Sequence, residues 1–97
     1  MTETIDRSGY RAARRAAIRA EVNEIKTRKG CAVCGFDEHP AALEFHHVDA
    51  TAKARDIGRM VSIGAGMGAI TREISKCVVL CANHHAMATD TDRKARA

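Results

Sequence analysis

Three short blocks hold all four cysteines and four of the five histidines, side chains suited to binding metals or moving protons. They are Cys31-Ala32-Val33-Cys34, Leu43-Glu44-Phe45-His46-His47-Val48-Asp49 and Lys76-Cys77-Val78-Val79-Leu80-Cys81-Ala82-Asn83-His84-His85. Cys31-x2-Cys34 and Cys81-x2-His84 have the gap that lets both ligands of a knuckle reach one tetrahedral ion, and three thiolates with one imidazole make a closed zinc set. One CxxC alone would be weak; two knuckles at opposite ends of a core are strong. Their long separation predicts a treble-clef arrangement, in which a hairpin-like knuckle and a helix N-terminus each supply two ligands. Cys77, amid Val78, Val79 and Leu80, reads instead as a small buried hydrophobe. Closed zinc needs none of His46, His47 and His85, so the blocks predict a second, open site beside the structural one.

The rest of the composition fits a small metal-stabilised α+β domain. A chain of 97 residues buries a limited core, and metals or disulfides commonly make up the shortfall. Tyr10, Phe36 and Phe45 are the only aromatic residues besides histidine, so the core must be aliphatic and thin. Four cysteines permit two disulfides. Against this, Met1 to Asp6 has neither the basic nor the apolar region of a secretory signal. The longest apolar run, Cys77 to Ala82, is too short to cross a bilayer. A reducing, cytoplasmic setting and no membrane partner are expected, and there CxxC reads as a metal site. The formal charge of +4 is compatible with a polyanionic partner but does not require one.

These blocks need elements to position them. Residues 1–6 read as frayed, and a basic helical extension fills the rest of 1–29, with Asp6 or Ser8 as candidate N-caps and Gly30 as its stop. Ile18, Val22 and Ile25 form its apolar stripe. Arg7, Arg11, Arg15 and Arg19, with Arg14 beside them, form a basic one that lacks acidic partners four residues on. That stripe is either a solvated face or a phosphate-contacting one. The zinc-bound core is expected over 30–89. Pro40 opens a strand over about Ala42 to Val48, with Leu43 and Phe45 on one face and Glu44 and His46 on the other. A loop and short helix fill 50–60, and Ser62 to Gly68 reads as a flexible glycine loop without the GK[ST] ending of a phosphate loop. A helix over Thr71–Lys76, a strand over Cys77–Leu80 and a helix restarting near Asn83 follow. Residues 90–97 read as a tail with little to bury.

Taken together, CAVCG, LEFHHVD and EISKCVVLCANHH resemble the HNH endonucleases, the family of the ββα-metal fold, over residues 31 to about 89. The resemblance implies that His46 and His85 bind a catalytic divalent ion (Mg2+, Mn2+, Ni2+ or Zn2+) and that His47 is the general base. It implies hydrolysis of DNA to a 5′-phosphate and a 3′-hydroxyl, one strand at a time. That chemistry needs charge stabilisation at the phosphate and a base titrating near working pH. Glu44, two residues before His46, is a candidate for orienting a histidine.

The chain departs from the family pattern in three places. His84 stands where a cysteine is common. Thr89 stands where many members have a further histidine, so a third protein ligand is either missing or supplied by Asp90. Lys76 stands near the usual place of the middle asparagine, leaving Asn83 to hold the histidine segment. Candidate DNA contacts are Arg11, Arg14, Arg15, Arg19 and Lys53. The resemblance also implies phage packaging machinery as a possible partner, and the host cytoplasm as location if the gene is viral. The alternatives are a non-catalytic treble-clef zinc module that binds nucleic acid, and a toxin or accessory factor needing a partner protein.

Overall fold

The computed structural model describes residues 7–96. Helix α1 spans Arg7–Lys29. The candidate cap Asp6 and the expected fraying of 1–6 lie outside the described residues, while Ser8 lies inside the helix. Ile18 and Val22 are buried and Ile25 packs against the same cluster, so the apolar stripe docks the helix. Lys26, Arg28 and Lys29 occupy its last turn, where cations suit the carbonyl end of the dipole. Gly30 ends it at φ 67°, a left-handed conformation that side chains with a Cβ disfavour.

Strand β1, Leu43–His47, pairs antiparallel with β2, Cys77–Cys81, and Phe45 lies opposite Val79 and His46 opposite Val78. A single turn of 3-10 helix over Pro40–Ala42 leads into β1. Between the strands lie α2, Ile57–Ser62, and α3, Met67–Ile74; α4, Ala82–Arg96, follows β2 directly. Two apolar clusters form. One joins Ile18, Val22, Ile57, Met60, Val61, Ile70 and Ile74 from the three earlier helices. The other joins Cys31, Leu43, Val79 and Leu80 around the sheet and the first knuckle. Phe45 packs against both and couples them. Among the described residues no helix is long and apolar enough to cross a membrane.

Two expectations fail at element ends. The glycine loop expected over Ser62 to Gly68 shrinks to residues 63–66, because α2 runs through Ser62 and α3 begins at Met67. Ile70 is fully buried and Ile74 nearly so, one turn apart on one face. Burying such side chains, at about 1.5–3 kcal/mol each, outweighs the roughly 1 kcal/mol that a glycine costs a helix. The expected tail over 90–97 is helical through Arg96. Lys94 pairs with Asp90 at 2.9 Å one turn back, and Arg93, Lys94 and Arg96 crowd the last turn. The helix therefore continues without a buried residue of its own.

Candidate functional site

The first knuckle is built by backbone hydrogen bonds. The Cys31 N–H donates to the Phe36 carbonyl and the Gly35 N–H to the Cys31 carbonyl, both at 2.8 Å. Gly35 has φ 77°, which closes the turn without a Cβ penalty. The Ala32 N–H donates to the Val79 carbonyl at 2.8 Å, tying the knuckle to β2. The second knuckle spans the β2–α4 junction, so Cys81 leaves the strand and His84 enters from the first turn of the helix.

Cys31, Cys34, Cys81 and His84 place one ligand atom each within 4.8 Å of all the others. Cys34 Sγ lies 3.9 Å from Cys81 Sγ, and His84 Nδ1 lies 3.7 Å from Cys31 Sγ and 3.2 Å from Cys81 Sγ. Zinc–sulfur bonds of about 2.3 Å and zinc–nitrogen bonds of about 2.0 Å imply tetrahedron edges of about 3.5–3.8 Å. The four residues are compatible with one zinc ion, and the four cysteines are free of disulfides. Burial opposes ionisation of the Cys31 thiol, yet the N–H groups of Cys34, Cys81 and Val33 hold it at about 5. The Phe36 N–H favours the Cys34 thiolate, but the neighbouring Cys31, burial and Cys81 together raise that thiol. Crowded thiols that resist losing a second proton are the condition a cation relieves. Burial, with the Glu73 charge, pushes the Cys77 thiol up to about 11; it donates to the Glu73 carbonyl at 3.5 Å and stays outside the ligand set.

His46, His47 and His85 line a cleft of about 650 Å³. All of Glu44, Phe45, His46 and His47 line it, so it follows the unpaired edge of β1 rather than one face of the sheet. His46 and His85 meet edge to face with ring centroids 5.3 Å apart. Glu44 accepts from His85 Nδ1, while Asp92 lies 3.2 Å from His46 Nε2. His47, next in sequence but pointing to the opposite face of the strand, places Nε2 2.7 Å from Glu73 Oε2. Glu73 is 4% exposed. Burial alone would raise its carboxyl, but hydrogen bonds from His47, Lys76 and the Ala54 and Arg55 N–H groups hold it at about 2.

Several expected residues take other places. Asp90 pairs with Lys94; the α4 carboxylate that reaches a cleft histidine is Asp92, which meets His46 from two turns beyond His85 on the same face of the helix. Thr89 lines the cleft. Asn83 is exposed, and among the described residues it makes no hydrogen bond to the histidine segment. Glu73 and Lys76 do that work: Lys76 Nζ reaches Glu73 Oε1 and the Ala52 carbonyl, both at 3.1 Å. Arg19 and Lys53 line the cleft. Arg11 and Arg15 do not, and Arg14 donates to the Gly64 carbonyl at 3.0 Å, bracing α1 against the α2–α3 turn. Lys26 and Arg96 also line the cleft; Lys26 lies over the Phe45 ring, 5.6 Å from its centroid, and its burial lowers its pKa against the pull of Glu44. Asp92 and Glu73 went unseen in the sequence; the signal for Asp92 was its place seven residues after His85, which a continuous helix brings to the same side.

Comparison with family models, with curated proteins and with solved structures finds no match.

Proposed function

We propose that this chain is a metal-dependent DNA endonuclease of the HNH type, its hairpin and following helix forming a ββα-metal core around a structural zinc. The observation that carries the reading is the cleft. It gathers His46, His47 and His85 at the edge of one strand and sets Arg19, Lys26, Lys53 and Arg96 around them. Imidazoles supply ligands and a base, and the cationic rim supplies contacts to a phosphate backbone. His46, His85 and Asp92 would hold the divalent ion, two neutral nitrogens and a carboxylate being a donor set that suits Mn2+, Ni2+ or Zn2+ as well as Mg2+. When bound, that ion supplies stabilisation for the charge that grows on the scissile phosphate. Glu44 orients the His85 ring, as carboxylates do for ligating histidines. His47 takes a proton from water as it attacks phosphorus, and the cations of the rim hold the strand in line.

The test is conversion of supercoiled plasmid to nicked circles by zinc-loaded protein with added Mg2+, Mn2+ or Ni2+. Nicked circles should precede linear product and vanish with a chelator of the added ion. A chain that binds plasmid yet never nicks it under any of these ions overturns the reading. The second reading, a zinc module that binds nucleic acid without cutting it, is favoured by one observation. Among the described residues the Cys3His set is the only group of three or more ligand side chains whose atoms already converge.

A further inference from the structure

Glu73 stands apart from the metal-ligating side chains and is the most enclosed charged group described. Its carboxylate meets three pieces of chain: β1, residues 54–55 and the turn between α3 and β2. Oε2 lies 2.7 Å from His47 Nε2 and accepts from the Ala54 N–H at 3.2 Å and the Arg55 N–H at 3.5 Å. Oε1 accepts from Lys76 Nζ at 3.1 Å. An ionised carboxylate can only accept hydrogen bonds. The ring nitrogen facing it must therefore carry a proton, and a neutral ring then leaves Nδ1 as the one nitrogen with a free lone pair. Side-chain exposure of His47 is 10% and that of Glu73 is 6%, so water competes weakly for the contact.

We propose that Glu73 is a positioning residue that fixes His47 in the Nε2–H tautomer and turns Nδ1 toward the attacking water. This rests on the reading of His47 as the base of a nuclease. In the step it prepares, one proton of water passes to Nδ1 while the water oxygen bonds to phosphorus. The bond from phosphorus to the 3′-oxygen breaks with its electron pair, and that oxygen takes a proton from solvent. Nε2–H stays hydrogen-bonded throughout, so the imidazolium forms against a negative charge that was already in place. Lys76 and the two backbone N–H groups hold the carboxylate still. They also tie its position to residues 52–55, the segment that brings Lys53 to the cleft.

The deciding measurement is side-chain nitrogen NMR of the zinc-loaded, histidine-labelled protein, with single-turnover nicking run beside it. The expected spectrum assigns His47 one tautomer, protonated on Nε2 and bare on Nδ1. A ring protonated on Nδ1 alone, on both nitrogens at working pH, or exchanging between tautomers overturns the proposal. Glu73→Gln keeps the volume and removes the charge. It should lose the single tautomer and reduce the nicking rate constant about 10- to 100-fold, the usual cost of losing such a partner, with KM for DNA and zinc content unchanged. A Glu73→Gln protein that keeps the tautomer and the rate makes Glu73 only a brace for the 52–55 segment. If Glu73→Gln fails to fold, the spectrum of the parent protein still decides. If the parent never nicks, the nuclease reading falls, and the tautomer is read independently of it.

Discussion

His84 and His85 are neighbours in sequence and belong to different worlds. One turns into the thiolate cluster, with Nδ1 3.2 Å from Cys81 Sγ. The other, about 100° further round the helix, meets Glu44 and opens on the cleft. His46 and His47 part in the same way across the strand, the first toward Asp92 on α4 and the second toward Glu73 on α3. In the thiolate region the ligand atoms already face one another. In the cleft each histidine is held by a carboxylate. The difference is one of convergence: a set of thiolates that already faces inward gains from being closed, whereas the imidazoles, each turned by its own carboxylate, are kept apart around the cleft, as the proposed nuclease reading requires.

The comparison breaks most sharply through the thiolates. Removing zinc, or replacing Cys34 or Cys81 by Ser, is expected to unfold the chain, since zinc bound at such knuckles contributes on the order of 10 kcal/mol to folding. One zinc per folded chain by elemental analysis, and loss of helical circular dichroism on chelation, check this. A folded, zinc-free protein would contradict it. Cys77→Ala should keep full zinc content.

Changes in the cleft should act on cleavage instead. His47→Ala is expected to lower nicking by about two orders of magnitude, the scale for a missing general base, while zinc content stays at one. It should also lower Tm, because Glu73 loses its closest partner inside the fold. His46→Ala should lose nicking in a way that excess divalent ion partly restores. If His47→Ala nicks normally and His46→Ala does not, the roles of base and ligand are exchanged.

Asp92→Ala should weaken binding of Mn2+ or Ni2+ by about tenfold in calorimetry, as loss of a ligand or its close support does. Asp90→Ala should not alter it. Equal effects from the two would remove α4 from the second site. The smallest effects belong to the cationic residues. Arg19→Ala and Lys53→Ala should each weaken duplex binding at every sequence and reduce its salt slope by about one. Arg14→Ala should cost stability rather than affinity. An unchanged salt slope for Arg19→Ala would make the rim incidental.

What could be read from the sequence was local. The knuckles are encoded in two-residue gaps, β1 in the alternation of Leu43, Glu44, Phe45 and His46, and β2 in a short β-branched apolar run, so Cys31, Cys34, Cys81 and His84 were found together with both strands. The apolar stripe of Ile18, Val22 and Ile25 was legible because it repeats at the helical period. Of the partners of the histidines only Glu44 was legible, as a carboxylate able to orient one of them; that it meets His85, 41 residues on, was not. Glu73 lies 26 residues from His47, a distance at which spacing has no meaning until the chain has folded. The glycines of 62–68 hid the buried face of Ile70 and Ile74, and the polar composition of 90–96 hid a helix supported by the Lys94–Asp90 pair and by cations in its last turn. Both errors had one source: burial and pairing decided the element, where composition had been read as flexibility.

Helix α4 leaves β2 without a linker and carries a zinc-compatible ligand in its first turn and a cleft carboxylate near its end. It works like a key whose teeth are cut at one fixed phase. An alanine inserted between His84 and His85 would turn every later residue by about 100° and advance it by about 1.5 Å. Cys81 and His84 would still meet their thiolate partners, but His85 and Asp92 would both swing away from β1. Four residues inserted there would nearly restore the angle while carrying both side chains about 6 Å along the axis, past His46. The spacing between the two sites is thus a matter of pitch, and neither region can be lengthened toward the other without disengaging the lock.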